Sequence, residues 1–183
     1  MADFKITKGY NVPIAGEASE VLSDLAQAPF FGVCPVEFPG LKPKLSVKLN
    51  DEVKVGTPLF FDKTNPDLQF VSPAGGRVTA INYGPRRVIE EIVISRGDSE
   101  QFEQHSAYTT AKIAALPREE LVAHLLKGGL WPFIRQRPFS KIADQGAQPK
   151  ALFINCMDSA PLANNPNFSL KDKGESFSAG VAA

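Results

Sequence analysis

Sulfur, histidine and net charge are all scarce in this chain, and each scarcity removes a class of function. Two cysteines, Cys34 and Cys156, stand far apart in 183 residues. They are too few for a disulfide framework or a metal cluster, and each reads as a small apolar side chain in a reduced, cytoplasmic protein. The two histidines, His105 and His124, form no ligand pair with each other or with a cysteine at a recognisable spacing. No HExxH, CxxC or phosphate-loop pattern occurs, so no metal site is expected and a metallopeptidase reading has no support. Twenty basic residues balance twenty acidic ones, which leaves no electrostatic footprint for nucleic acid. No window approaches the roughly 20 apolar residues that span a bilayer, and Met1 to Lys5 lacks the apolar core of a signal peptide. The chain therefore reads as soluble by itself, which is compatible with a seat on a membrane complex.

What the chain does contain is an ordered series of strand and turn signals. Phe4 to Ile14 alternates loosely and reads as a strand or strand pair broken at Gly9. Glu17 to Ala28 reads as turns or a short helix, and Phe30, Phe31, Val33 and Val36 as an apolar strand. Pro39 to Pro43 is a loop. Val53, Val55, Leu59, Phe60 and Phe61 lead to a polar turn over Asp62 to Asp67, taken as irregular because of Asn65-Pro66-Asp67; Phe70 and Val71 follow. A second turn at Asn82 to Arg87, with Gly84-Pro85 at its corner, separates Val78-Ala80-Ile81 from Val88 to Ile94.

Near residue 100 the period changes. Leu116 to Gly129 begins with a proline at the first turn, carries Glu119 and Glu120 early and Lys127 late, and ends on glycine, the signature of a helix with Leu121, Val122, Leu125 and Leu126 as its buried stripe. Leu152 to Cys156 is a continuous apolar run of the kind a buried parallel strand shows. Glu175 to Ala183 reads as a helix begun without a full amphipathic period, so the chain reads as a fragment of a longer protein.

Asn50-Asp51-Glu52-Val53, Gly56-Thr57-Pro58-Leu59 and Pro73-Ala74-Gly75-Gly76-Arg77-Val78 together resemble the biotinyl/lipoyl domain, a flattened sandwich of short strands. A carrier of that family presents a modified lysine at a hairpin tip between two methionines or after an acidic residue in fixed register. Lys63 follows Asp62 in the turn, but the register differs and no methionine is near, so Lys63 is expected to be an unmodified turn lysine. A group-carrier function is the alternative reading.

Three further peptides carry a more specific likeness: Lys8 to Gly16, Gly129 to Lys141 with its Arg-Gln-Arg-Pro-Phe-Ser-Lys, and Ile154 to Ala163. With them the chain resembles, over its whole length, the NqrA subunit of the Na+-translocating NADH:quinone reductase, a family of longer chains. The resemblance implies an α+β (mixed) fold: a biotinyl/lipoyl-like β barrel-sandwich over residues 1–100, then the start of a Rossmann-like α/β domain over 101–183. Its strand Phe4 to Ile6 is expected to close against Ile92 to Ile94. The α/β part is similar to the NADH-binding subunit of the proton-pumping NADH dehydrogenase and to the C subunit of the Rnf complex, without their iron–sulfur cysteines.

The resemblance also implies a peripheral subunit on the cytoplasmic face of a bacterial inner membrane, in a respiratory translocase that passes electrons from NADH to ubiquinone and pumps sodium. NADH, flavins and iron belong to the other subunits, and the chief partner is the quinone-proximal membrane subunit. No group is expected to be covalently bound here, and no complete active site. Ubiquinone is the one cofactor for which residues can be named. An apolar slot for the ring and donors for the carbonyl oxygens are what a quinone needs, and Trp131, Phe133 and Phe139 with Arg135, Arg137 and Lys141 supply both side-chain types. The other reading of that peptide is an interface segment whose aromatics anchor a partner. Arg86 and Arg87 read as a solvated turn that lipid phosphates or a partner would also fit.

Overall fold

The computed structural model describes Gly9 and residues 12–16, 19–156, 158 and 160–183. Its contacts divide the chain into two compact units, Met1–Leu25 with Pro149–Val181, and Ala26–Gln148 with Ala182–Ala183.

The larger unit is built on two antiparallel sheets. One has the order β1 (Phe30–Val33), β7 (Ile89–Arg96), β6 (Gly76–Tyr83), β3 (Glu52–Val53), and the other β2 (Pro43–Leu45), β4 (Pro58–Asp62), β5 (Asn65–Val71). Alternation places Ile92 and Ile94 of β7, and Leu68 and Phe70 of β5, in one shared core with Val53, Val78 and Phe60. In β4 the alternation breaks. Leu59 and Phe60 are both fully buried although adjacent, because the β4–β5 register slips between Pro58 and Phe60 and an extra residue turns inward. Phe60 stacks on Phe70 at 4.5 Å between ring centroids, and Phe38 meets Phe70 edge-on at 4.7 Å.

Turn chemistry explains the two long hairpins. Gly84-Pro85 turns β6 into β7 with Arg86 and Arg87 both at positive φ, 58° and 59°. Between β4 and β5 the turn is tighter than its sequence suggests. Asp62 pairs with Asn65, so Lys63-Thr64 alone makes the tip, and Asn65, Pro66 and Asp67 belong to the strand. The Asp62 carboxylate accepts the Thr64 N–H at 2.9 Å, which closes the tip locally. Between residues 40 and 95 there is no α-helix.

Beyond β7 the chain lies across the barrel: Val55 bridges Phe102, and Thr57 donates to the Glu103 carboxylate at 3.0 Å. Helix α1 (Thr110–Ala114) is capped by the Thr109 hydroxyl, and α2 (Arg118–Lys127) follows with Pro117 at its N-cap, one position earlier than the proline signal implies. Helix α2 packs on β5, with Leu126 joining the barrel core. Two short strands, β8 (Arg135–Gln136) and β9 (Lys141–Ile142), form a final hairpin.

The smaller unit contains α3 (Pro166–Ser169) and α4 (Gly174–Ala182). Asn165 caps α3 by accepting the Asn167 N–H at 3.0 Å, and its amide donates to Glu20.

Four expectations need correction. Both edges of Ile92–Ile94 are taken, one by β6 and the other by Phe31–Val33, so the strand that closes there is β1; Phe4–Ile6 lies outside the described residues. The apolar strand starting at Phe30 stops at Val33, because Pro35 opens a 3-10 turn that includes Val36. Residues 12–14 and 19–28 form neither strand nor helix and are exposed. Leu152–Cys156 is not a buried strand: Leu152 is 71% and Phe153 94% exposed. A parallel strand needs neighbours on its edges and cover on its faces, and the described residues of this unit contain no other strand.

Candidate functional site

The Trp131 to Lys141 peptide owes its shape to the end of α2. Gly129, at φ 67°, accepts the left-handed conformation that reverses the chain. The Gly129 N–H donates to the Leu126 carbonyl and the Leu130 N–H to that of Leu125, at 3.0 and 2.9 Å, so both orphan carbonyls are met. A Cβ on Gly129 would stand 2.6 Å from Val71 Cγ2, which shows how closely the helix end is pressed on β5. Trp131, Pro132 and Phe133 then make a 3-10 turn.

Within this peptide the six residues of interest separate. Trp131 is 7% exposed, belongs to the barrel core, and donates its indole N–H to the Ala143 carbonyl at 2.8 Å. It anchors the hairpin from beneath. Phe133 and Phe139 are 72% and 77% exposed. The Arg135 guanidinium lies 5.2 Å from the Phe38 ring centroid, turned back on the barrel, and the Lys141 ammonium is 5.9 Å from that of Phe139. Arg137 forms no ion pair or hydrogen bond among the described residues. The structure thus brings Phe139 together with Lys141, and Arg135 with Phe38, and keeps Trp131 apart from both phenylalanines. The peptide is a projecting hairpin, with apolar rings and cations on its surface instead of around an enclosed slot.

Two clefts lie elsewhere. One, of about 550 Å³, is bounded by Asp67, Gln69, Arg118, Val122 and Leu126 on β5 and α2; the other, of about 850 Å³, lies beside Ile154, Cys156, Asn164, Ser169 and Phe177 in the smaller unit. Neither includes a residue of the hairpin.

Other singled-out residues fall as follows. Lys63 is exposed at the hairpin tip, where its N–H donates to the Lys42 carbonyl at 2.9 Å. Arg86 and Arg87 are exposed at theirs. Cys156 is exposed; Cys34 is half-buried, and burial first, then the Glu37 and Glu91 carboxylates, raise its thiol above the ordinary value. His105 and His124, unpaired by sequence spacing, are neighbours in space, with ring centroids 6.2 Å apart and Tyr108 5.0 Å from His124. No local motif announces that group, since its members meet only when residues 102–109 cross the barrel to reach α2. Among the described residues no group of three or more metal-ligating side chains converges.

The two facing sheets joined at a shared core define a barrel-sandwich module, here extended by a helix and a projecting basic-aromatic hairpin. Residues 4–97 match the NqrA N-terminal barrel-sandwich hybrid domain, and residues 116–183 the NqrA second alpha/beta domain. The chain belongs to the NqrA family. Among curated relatives, the NqrA subunit of the Na(+)-translocating NADH-quinone reductase of Serratia proteamaculans is 39% identical over 180 residues, that of Neisseria gonorrhoeae 38% over 177 and that of Pseudomonas aeruginosa 35% over 177. Each comparison covers 97% of this chain, which spans about 40% of the length of the relatives it matches.

Proposed function

We propose that the chain acts within the NqrA subunit of a sodium-pumping respiratory NADH:ubiquinone oxidoreductase, as a peripheral scaffold at the cytoplasmic face of the bacterial inner membrane, and that its Trp131 to Lys141 hairpin borders the quinone path. NADH, flavins and iron sit on other subunits, and the chief partner is the quinone-proximal membrane subunit. The observation that carries this reading is the exposure of Phe133 and Phe139 beside Arg137 and Lys141 on a hairpin anchored by buried Trp131. A quinone ring stacks on an apolar face, and the negative charge that develops on its oxygens during reduction is met by cationic donors. Arg137, having no partner of its own among the described residues, is the donor most available for that role.

Replacing Phe139 and Arg137 by alanine in the full-length protein of the assembled complex should slow quinone reduction and alter inhibitor sensitivity, while NADH oxidation by an artificial acceptor continues. Loss of a hydrogen bond from a charged group costs about 1.5 to 3 kcal/mol, roughly a ten- to hundredfold effect. Unchanged quinone kinetics in a correctly assembled complex would refute the quinone role, and failure to assemble would assign the peptide to an interface between subunits.

A group-carrier reading has one observation in its favour, the two-residue tip that presents Lys63 to solvent. Against it stand the absence of flanking methionines and the different register, so Lys63 is expected to be unmodified.

A further inference from the structure

We propose that the Phe133 to Lys141 hairpin is a docking wedge for an anionic phospholipid surface. This goes beyond the quinone reading and rests on exposure and charge alone. Although the whole chain is balanced in charge, no Asp or Glu occurs between Glu120 and Asp144, a stretch that carries Lys127, Arg135, Arg137 and Lys141. Arg135 is spent on the Phe38 ring, so Arg137 and Lys141 are the hairpin's outward cations, and neither forms an ion pair among the described residues.

The apolar part of the wedge is Leu130, 56% exposed, with Phe133 and Phe139. These side chains have no polar atom, so burying them requires no partner donor or acceptor, and a fluid hydrocarbon boundary accepts them without a matching pocket. The Lys141 ammonium beside the Phe139 ring has the arrangement in which a ring enters the acyl boundary while the charge stays at the phosphates. The hairpin is held from below by Trp131, whose indole grips Ala143 just after the return strand, and by the Ala143 N–H on the Ile134 carbonyl at 2.9 Å. The exposed rings therefore stand on an anchored base, and little ordering is needed on docking. No helix among the described residues is long and apolar enough to cross a membrane.

The test is flotation of the purified chain with quinone-free vesicles of phosphatidylcholine alone and of phosphatidylcholine mixed with phosphatidylglycerol. Binding is expected only to the anionic vesicles and should fall at molar salt. Arg137→Gln and Lys141→Gln should each lower the partition coefficient about fivefold, and Phe133→Ala and Phe139→Ala about tenfold each. Unchanged fluorescence of buried Trp131 will show that the variants keep their fold. Equal binding to both vesicle types, no binding to either, or variants that bind like the parent would overturn the proposal. If the variants lose assembly with partner subunits while vesicle binding is absent throughout, an acidic protein face is the occupant and the lipid assignment falls. Because the vesicles hold no quinone, failure here leaves the quinone reading to its own assay.

Discussion

Replacing Gly76 by alanine should unfold the barrel at moderate temperatures, because the position leaves no room for a Cβ. Gly76 has φ 155°, pairs with Arg96 on one side and Val53 on the other, and would direct a Cβ straight into the Ser95 carbonyl oxygen and to 2.8 Å from the Gly97 nitrogen. Both are backbone atoms of the adjacent β7 segment, so no rotamer change relieves the clash, and strands β3, β6 and β7 must separate or shift. Backbone strain of about 1 to 3 kcal/mol adds to about 1 to 3 kcal/mol for overpacking. A weakened ladder hydrogen bond adds about 1 kcal/mol. The sum, roughly 3 to 7 kcal/mol, is a large share of the 5 to 15 kcal/mol that holds a typical domain together. At about 2 to 5 °C per kcal/mol for a unit of this size, Tm should fall by roughly 6 to 35 °C.

Gly32→Ala is the control. Its new Cβ meets only the Glu91 side chain, with the carboxyl oxygen nearest at 2.5 Å, a flexible group that can swing away. Paired thermal and urea unfolding of the two variants, followed by circular dichroism, measures the difference. If Gly76→Ala melts within a few degrees of the parent, or Gly32→Ala costs as much, the reasoning from backbone proximity is wrong.

Two other outcomes are expected. Intact-mass analysis of the purified chain should give the unmodified mass, and a biotinyl or lipoyl adduct on Lys63 would establish the carrier reading instead. Alkylation should label exposed Cys156 first and Cys34 slowly at neutral pH. Burial and the Glu37 and Glu91 carboxylates raise the Cys34 thiol, so its reactive thiolate is scarce there and its rate should keep climbing as pH rises beyond the ordinary thiol range. Rapid labelling of Cys34 at neutral pH would contradict that assignment.

Features whose physics is local could be read directly from the sequence. The Gly84-Pro85 corner, the alternation that buries Ile92 and Ile94, and the helix closed by Gly128-Gly129 all depend on backbone preferences and on residues a few positions apart. The Pro73 to Val78 motif carried the biotinyl/lipoyl likeness, and β6 starts within it at Gly76. Only the tertiary structure decided which strand lies beside Ile92–Ile94, since Phe31–Val33 is as apolar as the expected Phe4–Ile6 and strand pairing is a long-range choice. It also decided that Trp131 points into the core while Phe133 and Phe139 stay outside, and that His105 meets His124. An apolar side chain states a capacity for burial, and whether it is buried depends on what the rest of the fold brings against it. Leu152 and Phe153 have that capacity and remain exposed, because no element of their unit among the described residues covers them.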